Sequence, residues 1–234
     1  MEKTDIKVEQ TVTIKVFFRN YSGDNKLSEY CRGYDRYPTG DTERQVLGGK
    51  YTKMGIKLYT SDLHFGHRNV ISFDHRPFND VDEMDRCLIE LWNGRVSEDD
   101  EVYIVGDLCF RNGRPAEWYL KQLQGHKHLI IGNHDQKLLE NDKAMSYFES
   151  VDKMMYIKDG DKNICLCHYP IAEWNHFHRG SYHIYGHIHN RTDEAYMYMK
   201  KFDNALNAGC MINNYTPASF NELVRNNRIF KEKN

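Results

Sequence analysis

The sequence predicts an α/β sandwich, and three observations predict it. From about residue 54 onward, strand-like runs alternate with stretches of helical period. The chain is 234 residues long and 40% hydrophobic, enough for a real core in one α/β domain plus an appendage. Five of the strand-like runs also stop at Asp, Asn or His, and the carboxyl ends of strands are where open α/β folds bind ligands.

The first 53 residues read differently from the rest. Thr11 to Phe18 has the alternation of one strand, with Val12, Ile14 and Val16 on the apolar face. Tyr21 to Gly49 is rich in Gly, Asp, Arg and Tyr and has no sustained period, which leaves a long loop, a small subdomain and disorder all open. Residues 1–53 are therefore taken as an extension or accessory subdomain, and residues 54–234 as the main domain.

In that domain the elements follow in order. Ile56 to Thr60 is a strand. Asn79 or Asp80 caps a helix in which Val81, Met84, Leu88 and Leu91 fall at helical spacing, ending near Gly94. Glu101 to Val105 is the next strand, and a helix opens at Pro115 and closes before Gly125. His128 to Ile131 is a strand, followed by a short helix from about Asp135. Ile164 to His168, Tyr182 to Tyr185 and Ala205 to Gly209 complete the strands, and Pro217 opens the last helix. Trp92 is expected in the core at the end of its helix.

Charge and composition exclude some classes. Lys and Arg number 32 against 34 Asp and Glu, so the basic excess of a nucleic-acid coat protein is absent. No run is apolar enough to cross a bilayer and the N-terminus has no apolar signal region, which points to the cytoplasm. Cys31, Cys87, Cys109, Cys165, Cys167 and Cys210 form no C-x-x-C pair and read as reduced thiols, mostly in apolar runs. A thiolate site at Cys165 and Cys167 is disfavoured, because they share one strand face while Leu166 and His168 share the other.

Histidine is the outlier, with 12 residues, all from His64 to His189. Asp62-Leu63-His64 follows the first strand of the domain and Gly106-Asp107 the second. Gly132-Asn133-His134-Asp135 follows the third, His168 ends the fourth, and Gly186-His187-Ile188-His189 follows the fifth. Singly, each has a structural explanation as turn or cap chemistry. Together they place Asp62, His64, Asp107, Asn133, His168, His187 and His189 at one edge as oxygen and nitrogen donors. Such a set suits Mn²⁺, Fe or Zn²⁺, with Mn²⁺ the leading candidate, and seven donors exceed the need of one tetrahedral ion.

From about Met54 to the end, this order of motifs resembles the calcineurin-like metallophosphoesterase superfamily. Ser61 to His67, Arg76-Pro77-Phe78, Trp92-Asn93 and Leu206-Asn207-Ala208-Gly209 resemble more narrowly a small bacterial and phage branch of it. The resemblance implies a four-layer α/β sandwich, two mixed β-sheets face to face with helices outside. It implies that Asp62, His64 and His189 hold one metal ion and that Asn133, His168 and His187 hold a second. Asp107 would bridge them, and His134 would sit beside the substrate phosphate.

The chemistry so implied is hydrolysis of a phosphodiester or phosphomonoester by direct attack of a metal-bound hydroxide. Two cations about 3.5–4 Å apart clamp the phosphate and acidify the water between them, and His134 stabilises the transition state or protonates the leaving group. His67 and Arg68 are candidate substrate contacts, and so is Arg76, since a guanidinium matches phosphate. The expected substrate is a small phosphorylated compound or nucleotide, with nucleic acid less favoured and no membrane partner. One position departs from the resemblance. Many relatives carry an Asp three residues after the bridging Asp, where it orients the catalytic histidine, and here that residue is Phe110. The competing reading is a scaffold that keeps the fold, has lost catalysis and binds a protein partner.

Overall fold

The computed structural model describes residues 55–234 together with the strands Arg44–Leu47 (β1) and Lys50–Lys53 (β2). The strand expected over residues 11–18 and Cys31 lie outside the described residues. β1 and β2 pair antiparallel as a sheet of their own, a hairpin in a region where the sequence showed no period.

Two four-stranded sheets make the body of the fold. The first is Lys57–Thr60 (β3), Glu101–Ile104 (β4), His126–Ile130 (β5) and Phe148–Asp152 (β6), side by side in that order. The second runs Ala205–Asn207 (β10), Tyr182–Tyr185 (β9), Lys162–Cys167 (β8), Met154–Asp159 (β7). The sandwich expected from the sequence is present, with one correction. Only the second sheet is mixed; the first is parallel in every described pair. The connections account for the difference. Helices carry the chain back between the strands of the first sheet, whereas β7 and β8 are joined by Gly160 and Asp161, too short for anything but an antiparallel turn.

Strand alternation sorts the side chains into layers. Leu58, Val102, Ile104 and Leu129 face outward, against the helices Val81–Arg95 (α2) and Ala116–Leu120 (α3). Their neighbours Tyr59, Tyr103, Val105 and Ile130 face inward and meet Ile164, Leu166, Ile184 and Leu206 of the second sheet. Cys165, Tyr185 and Ala205 point to the far side, where Tyr196 and Met199 of the helix Glu194–Met199 (α6) cover them. Helix, sheet, sheet and helix are thus four layers.

The helix signals act as expected. Asp80 accepts the Glu83 N–H at 2.8 Å and starts α2, whose Met84, Leu88 and Trp92 are buried. The last helix, Phe220–Lys233 (α7), starts three residues after the expected Pro217, because Ser219 and Glu222 form a reciprocal capping box there. Arg68–Phe73 (α1), Asp142–Met145 (α5), α6, β6 and β7 show no period in the sequence and were not expected. The short helix Gln136–Leu139 (α4) follows Asp135. Among the described residues no helix is long and apolar enough to cross a membrane.

Candidate metal centre

Both sheets bring the carboxyl ends of their parallel strands to one place. Ser61 N–H bonds to Ala208 O at 2.9 Å and Cys210 N–H to Ser61 O at 3.0 Å, which joins the end of β3 to the end of β10. Asp62 N–H then bonds to Gly106 O and His64 N–H to Asp107 O, tying the β3 and β4 loops together. Gly186 N–H bonds to His168 O at 2.9 Å on the other sheet. Across the gap, the His187 N–H donates to both carboxylate oxygens of Asp62 at 3.1 Å.

Backbone conformation marks the same place. Among the described residues, nine non-glycine positions have positive φ, and five of them are Asp62, His64, Asp107, His187 and His189. Left-handed backbone costs a non-glycine residue about 1–3 kcal/mol and concentrates where function requires it. Two glycines are needed for closeness instead. A Cβ on Gly106 would run into the His168 ring, and one on Gly132 into the Asp107 carboxylate.

The donors form two overlapping groups with Asp62 in both. Asp62, His64 and His189 gather within metal-binding reach of one another, and so do Asp62, Asp107 and His168. The Nε2 atoms of His64 and His189 lie 3.2 Å apart, with His189 Nε2 3.5 Å from Asp62 Oδ1. Asp107 Oδ2 lies 3.7 Å from His64 Nε2 and 3.4 Å from His168 Nε2, near one histidine of each group. Asn133 Oδ1 sits 3.0 Å from His168 Nε2 and 2.9 Å from His187 Nδ1. All seven expected donors are therefore neighbours. Neither group includes a cysteine, and Cys165 and Leu166 lie on opposite faces of β8.

The donor chemistry fits a cation. Asp62 and Asp107 are buried side by side, and buried carboxylates need a positive partner. Burial disfavours a charged His168, yet its contact with Asp107 and the charge of Asp62 hold its pKa up at about 9. Burial likewise opposes ionised Asp107, but His168 and His64 more than offset it and bring the carboxyl to about 2. A divalent ion among these groups would replace the His168 proton as the positive partner. His64, by contrast, is pushed well below the usual imidazole range, first by burial.

Behind the donors lies a supporting shell. Asp135 Oδ2 accepts from the N–H groups of Asp107 (3.0 Å) and Gly132 (2.8 Å), and Oδ1 from that of Leu108 (3.0 Å). Asp107 Oδ1 in turn accepts the His134 N–H at 2.8 Å, so the β4 and β5 loops brace each other. His168 Nδ1 faces Val105 O at 2.9 Å. Asn207 Nδ2 donates to His189 O at 2.8 Å. Asp74 Oδ1 lies 2.7 Å from His189 Nδ1, and Arg76 holds Asp74 from the other side. Burial raises the Asp74 pKa, but its contacts with His189 and Arg76 outweigh that and leave it lowered.

The remaining candidates are placed as follows. His134 is exposed at the rim, its ring edge-on to His64 with centroids 5.3 Å apart. His67 lies 5.4 Å from the His64 ring and stacks on Phe110 at 3.8 Å. Phe110, which departs from the pattern the resemblance implies, is thus a platform for His67. Arg68 is exposed on the first turn of α1. Arg76 is a correction: its side chain is wholly buried, its donors spent on Asp74 and two peptide carbonyls, and it presents nothing to a phosphate. His183 is a buried core residue, and His176 and His178 are exposed on the loop after β8. Asp74 escaped the sequence reading altogether, because its partner is 115 residues away. Its one sequence signal is its place two residues before the Arg76-Pro77-Phe78 run.

Three known proteins resemble this chain in sequence or in fold. An uncharacterized protein of Methanocaldococcus jannaschii is 32% identical over 172 residues, covering 72% of this chain and 90% of that protein. A gene 66 protein of a Mycobacterium phage is 28% identical over 164 residues, 58% of this chain and 79% of its own length. The crystal structure of a protein of unknown function from Aquifex aeolicus shares the fold, with a TM-score of 0.58 at 23% identity, over 73% of this chain and 98% of that one. No family model matches the chain.

Proposed function

The chain belongs to the family of the uncharacterized Methanocaldococcus jannaschii protein, and from its strand-end donors we propose that it is a phosphoesterase using two divalent metal ions. Asp62, His64 and His189 hold one ion, Asn133, His168 and His187 the other, and Asp107 serves both. The observation that carries this reading is the position of Asp107 Oδ2, 3.7 Å from His64 Nε2 and 3.4 Å from His168 Nε2. Mn²⁺ is the first ion to try, with Fe and Zn²⁺ next.

When bound, such an ion pair neutralises phosphate charge and supplies an acidified water near neutral pH. The chain's own residues do the rest. His134, at the rim beside His64, donates a hydrogen bond to a phosphate oxygen or a proton to the leaving oxygen. His67, fixed by Phe110, and the exposed Arg68 contact the phosphate from the α1 side. Two exposed rings edge the site: Tyr169, 4.6 Å from the His187 ring, and Phe73, 6.3 Å from that of His67. They favour a small phosphorylated substrate with a planar group, such as a nucleotide, over a bare phosphomonoester. Residues 54–234 are the catalytic unit in this reading, and a chain beginning at Met54 should retain activity.

The test is hydrolysis of bis-p-nitrophenyl phosphate and p-nitrophenyl phosphate by metal-stripped protein given Mn²⁺. Turnover that requires Mn²⁺ and is lost in Asp107→Asn and His134→Ala supports the proposal, and the preferred ester tells diesterase from monoesterase. Wild-type protein that carries two ions yet hydrolyses neither ester nor any nucleotide would sink it in favour of a scaffold.

A further inference from the structure

Arg76 is buried to 0% side-chain exposure, and Asp74 beside it to 4%. Its Nε and one Nη donate to Asp74 Oδ2 at 3.0 and 2.9 Å. The same Nη reaches Asp62 O at 2.8 Å, and the other reaches Leu63 O at 2.9 Å. A buried ion pair is weak evidence for stability, since apolar groups of the same volume often do as well. What sets this pair apart is where its remaining bonds go. Both peptide carbonyls lie in the Asp62-Leu63-His64 turn, between two of the proposed donors. The free carboxylate oxygen, Asp74 Oδ1, faces His189 Nδ1 at 2.7 Å. A third tie, from Asn190 Nδ2 to Asp74 O at 3.2 Å, fixes the backbone of the same unit.

We infer that Asp74 and Arg76 form a positioning clasp that selects the metal-accepting tautomer of His189 and fixes the Asp62–His64 turn, making this half of the centre the tighter cation site. The inference rests on the proposed metal centre. Asp74 Oδ1 can only accept, so the neutral His189 ring carries its hydrogen on Nδ1. Its lone pair is then on Nε2, the atom that faces His64 Nε2 and Asp62 Oδ1. Arg76 occupies the other oxygen with two donors, so the carboxylate cannot turn away from His189. The other half has a different arrangement. His187 Nδ1 meets Asn133 Oδ1, itself one of the proposed donors, and Asn133 is exposed.

The clasp predicts an unusual effect of Asp74→Asn. The two Arg76 donors claim the amide oxygen, which turns the amide NH₂ toward His189 Nδ1. That nitrogen must now accept, and the ring hydrogen moves to Nε2, where a cation would bind.

The experiment uses the full-length protein, stripped of metal. Long-range ¹H–¹⁵N spectra at alkaline pH read the His189 tautomer, and Mn²⁺ titration by calorimetry reads the two binding steps. The wild type should show the Nδ1-protonated ring and a tighter and a weaker step. Asp74→Asn should show the Nε2-protonated ring, with the tighter step weakened roughly 10–100-fold and the weaker one unchanged. Arg76→Lys, which keeps the charge and loses the fork, should weaken the same step less. An Nε2-protonated His189 in the wild type overturns the clasp, as does an Asp74→Asn protein of native circular dichroism that binds both ions like the wild type. If Asp74→Asn does not fold, the wild-type tautomer alone decides. A wild type that binds no Mn²⁺ defeats the proposed function, and the tautomer still decides the clasp separately.

Discussion

The two halves of the strand-end centre use similar donors but stand on different supports. The half made by Asp62, His64 and His189 is largely buried and backed by a second layer that is itself buried, the Asp74–Arg76 pair. In the half made by Asn133, His168 and His187, only His168 is fully buried, steadied by the Val105 carbonyl. Asn133 is exposed there, and the exposed ring of Tyr169 packs on His187. Inward donors on a rigid backing suit an ion that stays. Donors at the rim suit one that exchanges and meets substrate. In this view the halves divide the work of holding metal and admitting phosphate.

The most severe test removes Asp107, the group proposed to serve both halves. Asp107→Asn should lower kcat/KM for the preferred ester by about 10³-fold, about 4 kcal/mol of transition-state stabilisation. Magnetic coupling between two bound Mn²⁺ ions should weaken with it, an outcome to be read by electron paramagnetic resonance. Coupling of unchanged strength would mean that Asp107 is not the shared ligand. The next test sets one half against the other. His189→Ala should weaken Mn²⁺ binding by about 100-fold and His187→Ala by about tenfold, a gap of about 1.4 kcal/mol. Equal losses in the two titrations would erase the asymmetry.

How much of this was legible in the sequence differs between the same two layers. Each donor stands at or just after the end of a short apolar strand run, such as Glu101 to Val105 before Gly106-Asp107, so position and residue type could be read together. Asp135 was visible as part of its motif, although its task of holding two loops was not. Asp74, and the buried role of Arg76, were hidden for a physical reason. They follow a helix of only six residues, and their partners are loops 13, 14 and 115 residues away. A lone arginine in a polar stretch looks solvent-exposed until the fold folds over it. β6 was missed because Phe148-Glu149-Ser150-Val151-Asp152 is too short and polar to show a period, and its pairing with β5 is what makes it a strand.

Asp135 tests whether the bracing of loops matters to the fold itself, apart from metal. Its carboxylate satisfies three buried backbone N–H groups and binds no proposed ion. Asp135→Ala orphans all three and should cost about 3 kcal/mol of stability. Urea unfolding should show a lower midpoint with an unchanged slope. A loss of only a few tenths of a kcal/mol would mean that water replaces the carboxylate and that the strand ends keep their arrangement without it.

The smallest effect distinguishes a histidine of the centre from a histidine of the core. His183 is buried at 0% exposure between Trp174 and Tyr185, with Nδ1 donating to Cys165 O and Nε2 accepting from Ile171 N–H. Burial holds its pKa down at about 4, while in the unfolded chain it titrates at the ordinary value of 6.5. Between those values the unfolded state binds the extra proton. Stability from this residue is therefore complete above pH 6.5 and falls as the pH drops toward 4. At pH 5.5 the loss should be about 1.4 kcal/mol. His183→Gln cannot take up that proton, so its stability should fall less steeply over this range in denaturant titrations at successive pH values. If wild type and variant lose stability in parallel, His183 is charged in the folded protein, and the second sheet's outer layer is wetter than the packing around Trp174 implies.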